Sequence, residues 1–190
     1  MEHKYAAKYS DTYLRPLIRD DLENLRAWRN DRNATKYLRQ IDYITRQMQT
    51  DWYESYLSNE SELIFAIVED SDLHRMVGSV AVYGINREAH TAEIGKIQIG
   101  DREAHGRGIG QKALVMAMKI GFEKLGIIKF VGEVHQDNIP ARTNDRKVGF
   151  RFIGEQPSEN GGTEDLLEAF REDISRANSY YPDIILTEEE

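Results

Sequence analysis

The chain has 190 residues, 31% of them charged, a formal net charge of -8 and no cysteine. A disulfide scaffold and a thiol nucleophile are therefore excluded, and an acidic chain with no basic stripe argues against a nucleic-acid partner. No apolar run approaches the roughly 20 residues of a membrane helix, and the opening MEHKYAAKYSDTYLRPLIRDD contains none at all. A soluble, cytoplasmic protein with no signal peptide and no membrane partner is expected.

In chain order, TYLRPLI (12–18) alternates as a first strand. DDLENLRAWRN follows as a helix, with Asp20 and Glu23 at capping-box spacing. TRQMQTDWYESYL predicts a second helix whose Met48, Trp52 and Tyr56 share one face. The polar and aromatic stretch 31–44 between these helices is expected to be irregular. ELIFAIVED, HRMVGSVAVYGIN and HTAEIGKIQIG read as three strands with no helical run between them. Turns at Asp70-Ser71-Asp72 and Asn86-Arg87-Glu88 predict that they meander antiparallel.

HGRGIGQKAL (105–114) then enters a helix over 109–126. Leu114, Ala117, Met118, Phe122 and Leu125 form its apolar face, and Lys112, Lys119, Glu123 and Lys124 its polar one. IKFVGEVH is a further strand, and NIPARTNDRKVGF a short helix stopping at Gly149. RFIGEQ and YPDIILT are expected to form a final strand pair. Between them TEDLLEAFREDISRA (163–177) reads as an amphipathic helix through Leu166, Phe170, Ile174 and Ala177. This order predicts an α/β fold in one domain over residues 1–190, with a mixed, mainly antiparallel central sheet flanked by helices. Residues 155–190 hold 11 acids and 2 bases, a net of -9 that leaves 1–154 at +1. That acidic end serves as a solvated helix and tail or as an attraction for a cationic substrate.

The glycine turn is the strongest chemical signal, because unpaired N–H groups at a helix start bind anions and glycines admit a ligand closely. A Walker A loop is excluded, since Gln111-Lys112-Ala113 does not supply its Lys-Ser/Thr pair. Gly108, Gly110 and Ala113 with Glu133 twenty residues on match a dinucleotide fingerprint locally. That fold needs several βαβ units, and this chain has room for one.

His105-Gly106-Arg107-Gly108-Ile109-Gly110 resembles the [QR]-x-x-G-x-[GA] loop of the GNAT superfamily of acetyl-CoA-dependent N-acetyltransferases. NIPARTNDRKVGF is similar to the family's N-x-x-A-x-x-x-Y-x-K-x-G-F motif at Asn138, Ala141, Lys147, Gly149 and Phe150. The resemblance implies that residues 105–110 cradle the pyrophosphate of acetyl-CoA, with Arg107 adding charge. It also implies that Ile97, Gln98 and Ile99 splay from the next strand to serve the pantetheine arm, with Asn138 and Lys147 beside it. Asn138 serves equally as a helix cap ahead of Pro140. Glu93 falls where family members keep a carboxylate base, with pairing to Lys96 as its structural alternative. His105 departs from the loop pattern, and Asp145 stands where the family has its tyrosine acid, leaving a helix-face charge or a salt bridge to Arg142 as the roles expected of it.

The run Trp28-Arg29-Asn30 resembles the substrate segment of the branch acting on amino-sugar nucleotides, and LRPL with AEIG that of ribosomal-protein alanine acetyltransferases. The first expectation for the acceptor is therefore an amino-sugar nucleotide or another small amine, held by Trp28, Arg29 and Asn30. A protein N-terminus, a polyamine and a non-catalytic acyl-CoA-binding module are the alternatives. No metal is implied. The helix at 163–177 either covers the acceptor cleft or makes a homodimer contact.

Overall fold

The structure, a computed structural model, describes residues 2–31, 42–158 and 161–189. Its elements in chain order are β1 (Tyr5–Tyr9), β2 (Thr12–Pro16), α1 (Leu22–Asn30), α2 (Arg46–Leu57), β3 (Leu63–Glu69), β4 (Arg75–Asn86) and β5 (Thr91–Ile99). They continue with α3 (Ile109–Lys124), β6 (Lys129–His135), α4 (Ile139–Val148), β7 (Arg151–Pro157), β8 (Thr163–Phe170), α5 (Arg171–Ala177) and β9 (Ile185–Glu188). The strands form one sheet in the order β7-β8-β6-β5-β4-β3-β2-β1-β9. Every neighbouring pair is antiparallel except β5 with β6. The expected α/β architecture with a mainly antiparallel sheet is thus observed, including the β3-β4-β5 meander.

Two cores flank the sheet. On one side α3 packs Ile109, Leu114, Met118 and Ile120 against Leu14, Phe65, Ile67, Val80 and Phe130. On the other, Leu22 and Leu25 of α1 and Tyr53 and Tyr56 of α2 cover Ile64, Ala66, Met76 and Ala81. None of the described helices is long and apolar enough to cross a membrane.

Several elements differ from expectation. β1 was not foreseen, because YAAKY carries no β-branched residue. It forms because Ala6 and Ala7 are small enough to be buried completely beside the cores. Residues 163–170, expected as helix, are strand β8, pairing with β6 along its whole length. Asp165, Leu167 and Ala169 point inward in alternation. A carboxylate at one inward position hides that period, but Asp165 is neutralised by Arg142 at 2.7 Å. Only residues 171–177 are helical, and the strands β7 and β9 do not pair, because they close opposite edges of the sheet.

The buried stripe of α2 is Gln49, Tyr53 and Tyr56, while Met48 and Trp52 stay exposed. The helix thus faces the sheet one position round from the expected side. Lys119 is buried rather than solvated, 3.0 Å from Glu123 and 4.4 Å over the Tyr181 ring. α3 is covered on nearly every side, so its polar face is narrower than an ordinary surface helix would have. The capping box at Asp20 and Glu23 does not form. Asp21 instead accepts from the Ile18 N–H at 2.9 Å and grips Arg15 in a bidentate pair, and Glu23 turns to Arg26. Of the stretch expected to be irregular, residues 32–41 lie outside the described residues.

Candidate active site

The site is organised by a split in the sheet. β5 pairs with β6 only at Thr91, Ala92 and Glu93, opposite Lys129, Phe130 and Val131. Beyond Glu93, β6 follows β8 while β5 stays with β4, so the β6-facing edge of Ile94–Gln98 has no strand partner among the described residues. This is the splay expected for Ile97, Gln98 and Ile99.

The glycine turn closes the mouth of that opening. A 3-10 turn over Arg102–Ala104 leads from the strand into it. His105 Nε2 bonds the Ile99 carbonyl at 2.8 Å, tying the turn to the end of β5. The histidine therefore does structural work where the family has glutamine or arginine. A methyl built on Gly110 would meet Ile97 Cδ1 at 3.6 Å, so α3 starts close against the strand. Gly106 and Gly108 adopt left-handed φ values of 76° and 72°, and a methyl on either would have nothing within 4 Å. No side chain caps the start of α3. Its first N–H groups lie at the positive end of a 16-residue helix dipole, a ready anion site.

Arg107 beside it is already paired with Asp72 at 3.0 Å. Asp72 lies in a turn held by the buried Glu69 carboxylate, which accepts from the N–H groups of Ser71, Asp72 and Leu73 and from the Ser71 hydroxyl. Those bonds lower the Glu69 pKa to about 2. Asn138 accepts from the Ala141 N–H at 3.3 Å and so caps α4. Lys147 is exposed in the last turn of α4, where its charge complements the helix dipole.

Across the sheet, on the α1 and α2 side, the chemistry is carried by side chains. Tyr83 of β4 stands opposite Glu93 in register, which puts the phenol and the carboxylate on the same face of the sheet. Burial, then Glu93, Glu133 and Glu62, raise the Tyr83 pKa. Two bulges frame the pair. Gly84, at φ 57°, lets Glu93 Oε1 lie 3.1 Å from where a methyl would be. Lys96 and Ile97 stand opposite the single residue Val80, with Lys96 at φ 47°. Such bulges redirect side chains beside functional sites. Lys96 pairs with Glu62 at 2.5 Å, not with Glu93 as the structural alternative had it.

The run expected to hold the acceptor is largely occupied within the fold. The Trp28 ring lies on Gly100, where a methyl would fall 2.0 Å from Cδ2, and Gln98 Nε2 donates to the Trp28 carbonyl at 3.1 Å. Asn30 bonds both backbone groups of Ile44. Arg29 is half-buried, and burial lowers its pKa. Arg142 pairs with Asp165, which leaves Asp145 without the salt bridge expected of it. Burial raises the Asp145 pKa to about 6. α5 buries Ile174 in the α3 core, so it lies on the face away from Tyr83 and Glu93 and does not cover them.

Tyr83, Gly84 and Glu62 had no signal of their own in the sequence. Counting back from the Asn86 turn puts Gly84 opposite Glu93, and the bulge at Gly84 shifts the register by one to bring Tyr83 there.

A family model described as an acetyltransferase (GNAT) domain matches residues 11–151. An N-acetyltransferase 9-like protein of Nematostella vectensis is 29% identical over 118 residues, 57% of this chain, and the match spans only 59% of that relative's length. Spermidine N(1)-acetyltransferase of Escherichia coli (strain K12) is 29% identical over 142 residues, 75% of this chain and 74% of that protein. A crystal structure of spermidine N-acetyltransferase from Vibrio cholerae, in complex with CoA and spermine, superposes with a TM-score of 0.78 at 22% identity. It covers 88% of this chain and 99% of its own.

Proposed function

The chain belongs to the GNAT acetyltransferase family, and from that premise we propose that residues 1–190 form one domain that acetylates a primary amine of a polyamine from acetyl-CoA. The observation carrying the transferase reading is the junction of an uncapped helix start at Gly106–Gly110 with the free edge of β5. These features fit the two parts of the co-substrate, since α3 N–H groups suit a pyrophosphate and strand groups an amide-bearing arm. Acetyl-CoA supplies an acetyl group activated as a thioester.

Glu93 is the proposed base. It stands where the strands part, faces the acceptor side, and takes a proton from the incoming ammonium so that the amine becomes nucleophilic. Tyr83, opposite Glu93 in register, is the proposed positioning residue beside it. Asp145, partly buried with its pKa raised to about 6, stands in for the family's tyrosine without being needed as an acid, because a thiolate leaves unaided more readily than an alkoxide.

The acceptor preference moves from an amino-sugar nucleotide to a polyamine for two reasons. Two of the relatives described above carry spermidine in their names, and two carboxylates flank Tyr83 on the acceptor face, Glu93 opposite it in register and Glu62 beside the Lys96 ammonium that lies over its ring. The test is acetyl transfer from acetyl-CoA to spermidine, a UDP-amino sugar and an alanine-initiated peptide, followed by mass. Acetylspermidine as the dominant product supports the reading. Faster transfer to the sugar nucleotide or the peptide reassigns the acceptor, and acetyl-CoA binding with no transfer to any amine leaves a binding module.

A further inference from the structure

Lys96 is a cation lodged on the face that a cationic acceptor has to enter. Its left-handed backbone and the bulge around it carry the side chain to the α1 and α2 side of the sheet. There the ammonium lies 4.3 Å from the centroid of the Tyr83 ring and 2.5 Å from Glu62 Oε1. An aromatic face with a carboxylate at its rim is a chemically complete ammonium site, and the chain fills it with its own side chain. That side chain is 53% exposed, so it supports no core. Glu93 also stands opposite Tyr83 in register, so two carboxylates, Glu62 and Glu93, meet at the ring on which one lysine sits.

We propose that Lys96 is a tethered stand-in for a substrate ammonium, displaced from the Tyr83 face and Glu62 by a non-reacting ammonium of the acceptor. The inference rests on the polyamine reading above. Glu93 remains the base, and Lys96 determines selectivity. An acceptor with a second positive charge recovers at this site what displacing the lysine costs. A monoamine delivers its one nitrogen to Glu93 and leaves Lys96 where it is. The chain therefore counts charges on its acceptor through an internal competitor.

The experiment compares the wild-type chain with Lys96→Met and Lys96→Asn. Both substitutions are neutral, and asparagine tolerates the left-handed backbone should the methionine unsettle the bulge. Steady-state transfer to spermidine and to n-butylamine is measured, with acetyl-CoA affinity by calorimetry as the control. The KM for spermidine is expected to fall about tenfold in both variants, equivalent to about 1.4 kcal/mol. The kcat, the acetyl-CoA affinity and the kcat/KM for n-butylamine should stay unchanged. An unchanged or raised spermidine KM in a folded variant, with wild-type transfer intact, overturns the inference alone. A wild-type chain that binds acetyl-CoA but acetylates neither amine overturns the polyamine reading and this inference together.

Discussion

The two faces of the sheet at the splay are built by opposite means. On the α3 side the site consists of backbone: left-handed glycines, an uncapped helix start and a strand edge without a partner. On the α1 and α2 side it consists of side chains from three strands and the turn ahead of β3: Tyr83, Glu93 with Lys96, Glu133, and Glu62. Backbone geometry is generic, recognising a phosphate and an amide chain whatever is being acetylated. Side-chain geometry is particular to one acceptor. A chain can thus keep its co-substrate half as a motif while its acceptor half changes at scattered positions.

The largest effect that tests this division is expected at Glu93. Glu93→Gln keeps the shape and the place opposite Tyr83 but cannot take a proton, so kcat should fall by about 10²-fold or more. Acetyl-CoA affinity, set on the other face, should not change. Loss of both together would mean that the two halves are not separable.

Gly108→Ala strikes the backbone half. The methyl meets no protein atom within 4 Å, so its costs are about 1–2 kcal/mol of left-handed strain and a blocked anion site. The acetyl-CoA Kd, measured by calorimetry, should rise about tenfold or more with only a modest fall in melting temperature. An unchanged Kd would show that the phosphates are held elsewhere.

Asp145 tests whether burial alone governs the region behind the splay. Its folded pKa of about 6 exceeds the ordinary 3.8, so between pH 4 and 6 the folded state holds a proton the unfolded chain has lost. Its contribution to stability is full below pH 4 and is lost as pH rises through 6. Asp145→Asn should therefore be more stable than wild type by about 1–3 kcal/mol at pH 8 and no more stable at pH 4. Urea unfolding at the two pH values checks this, and equal differences at both would mean that the carboxylate finds a partner in solution.

His3, under the α2 side, should show the opposite slope at a smaller scale. It packs against Tyr5 and Phe65, and burial lowers its pKa from 6.5 to about 4. Here the unfolded chain binds the extra proton, so stability rises with pH from 4 to 6.5. His3→Gln should flatten that rise, by about 1 kcal/mol because the ring is partly exposed. In the wild-type chain the two slopes offset one another, so each emerges only against its own variant.

Much of the backbone half was legible in the sequence. Three glycines before an apolar helix, and strands separated by Asx-rich turns, are local signals that need no partner to be read. β1 was missed because its burial, not its propensity, makes it a strand. β8 was misread because Leu166, Phe170 and Ile174 keep a helical spacing. The competing alternation through Asp165, Leu167 and Ala169 is visible only once Arg142 is known to neutralise the carboxylate. Glu93 is singled out in the sequence by the family resemblance, whereas its neighbours Tyr83 and Glu62 carry no signal there.

The sequence by itself determined the order of the elements, the antiparallel meander, the glycine turn and the helix it opens. These follow from periodicities and turn residues within a dozen positions of one another. Only the tertiary structure decided which residues meet Glu93, that Lys96 turns to Glu62 and Tyr83, that Trp28 and Asn30 serve the fold, and that Asp145 is partly buried. The placement of Tyr83 opposite Glu93 and of Lys96 against Tyr83 depends on two bulges, each adding one residue to a strand and so reversing the side to which every later side chain points. A single residue of register is a small local event, and its consequence is felt only across the sheet.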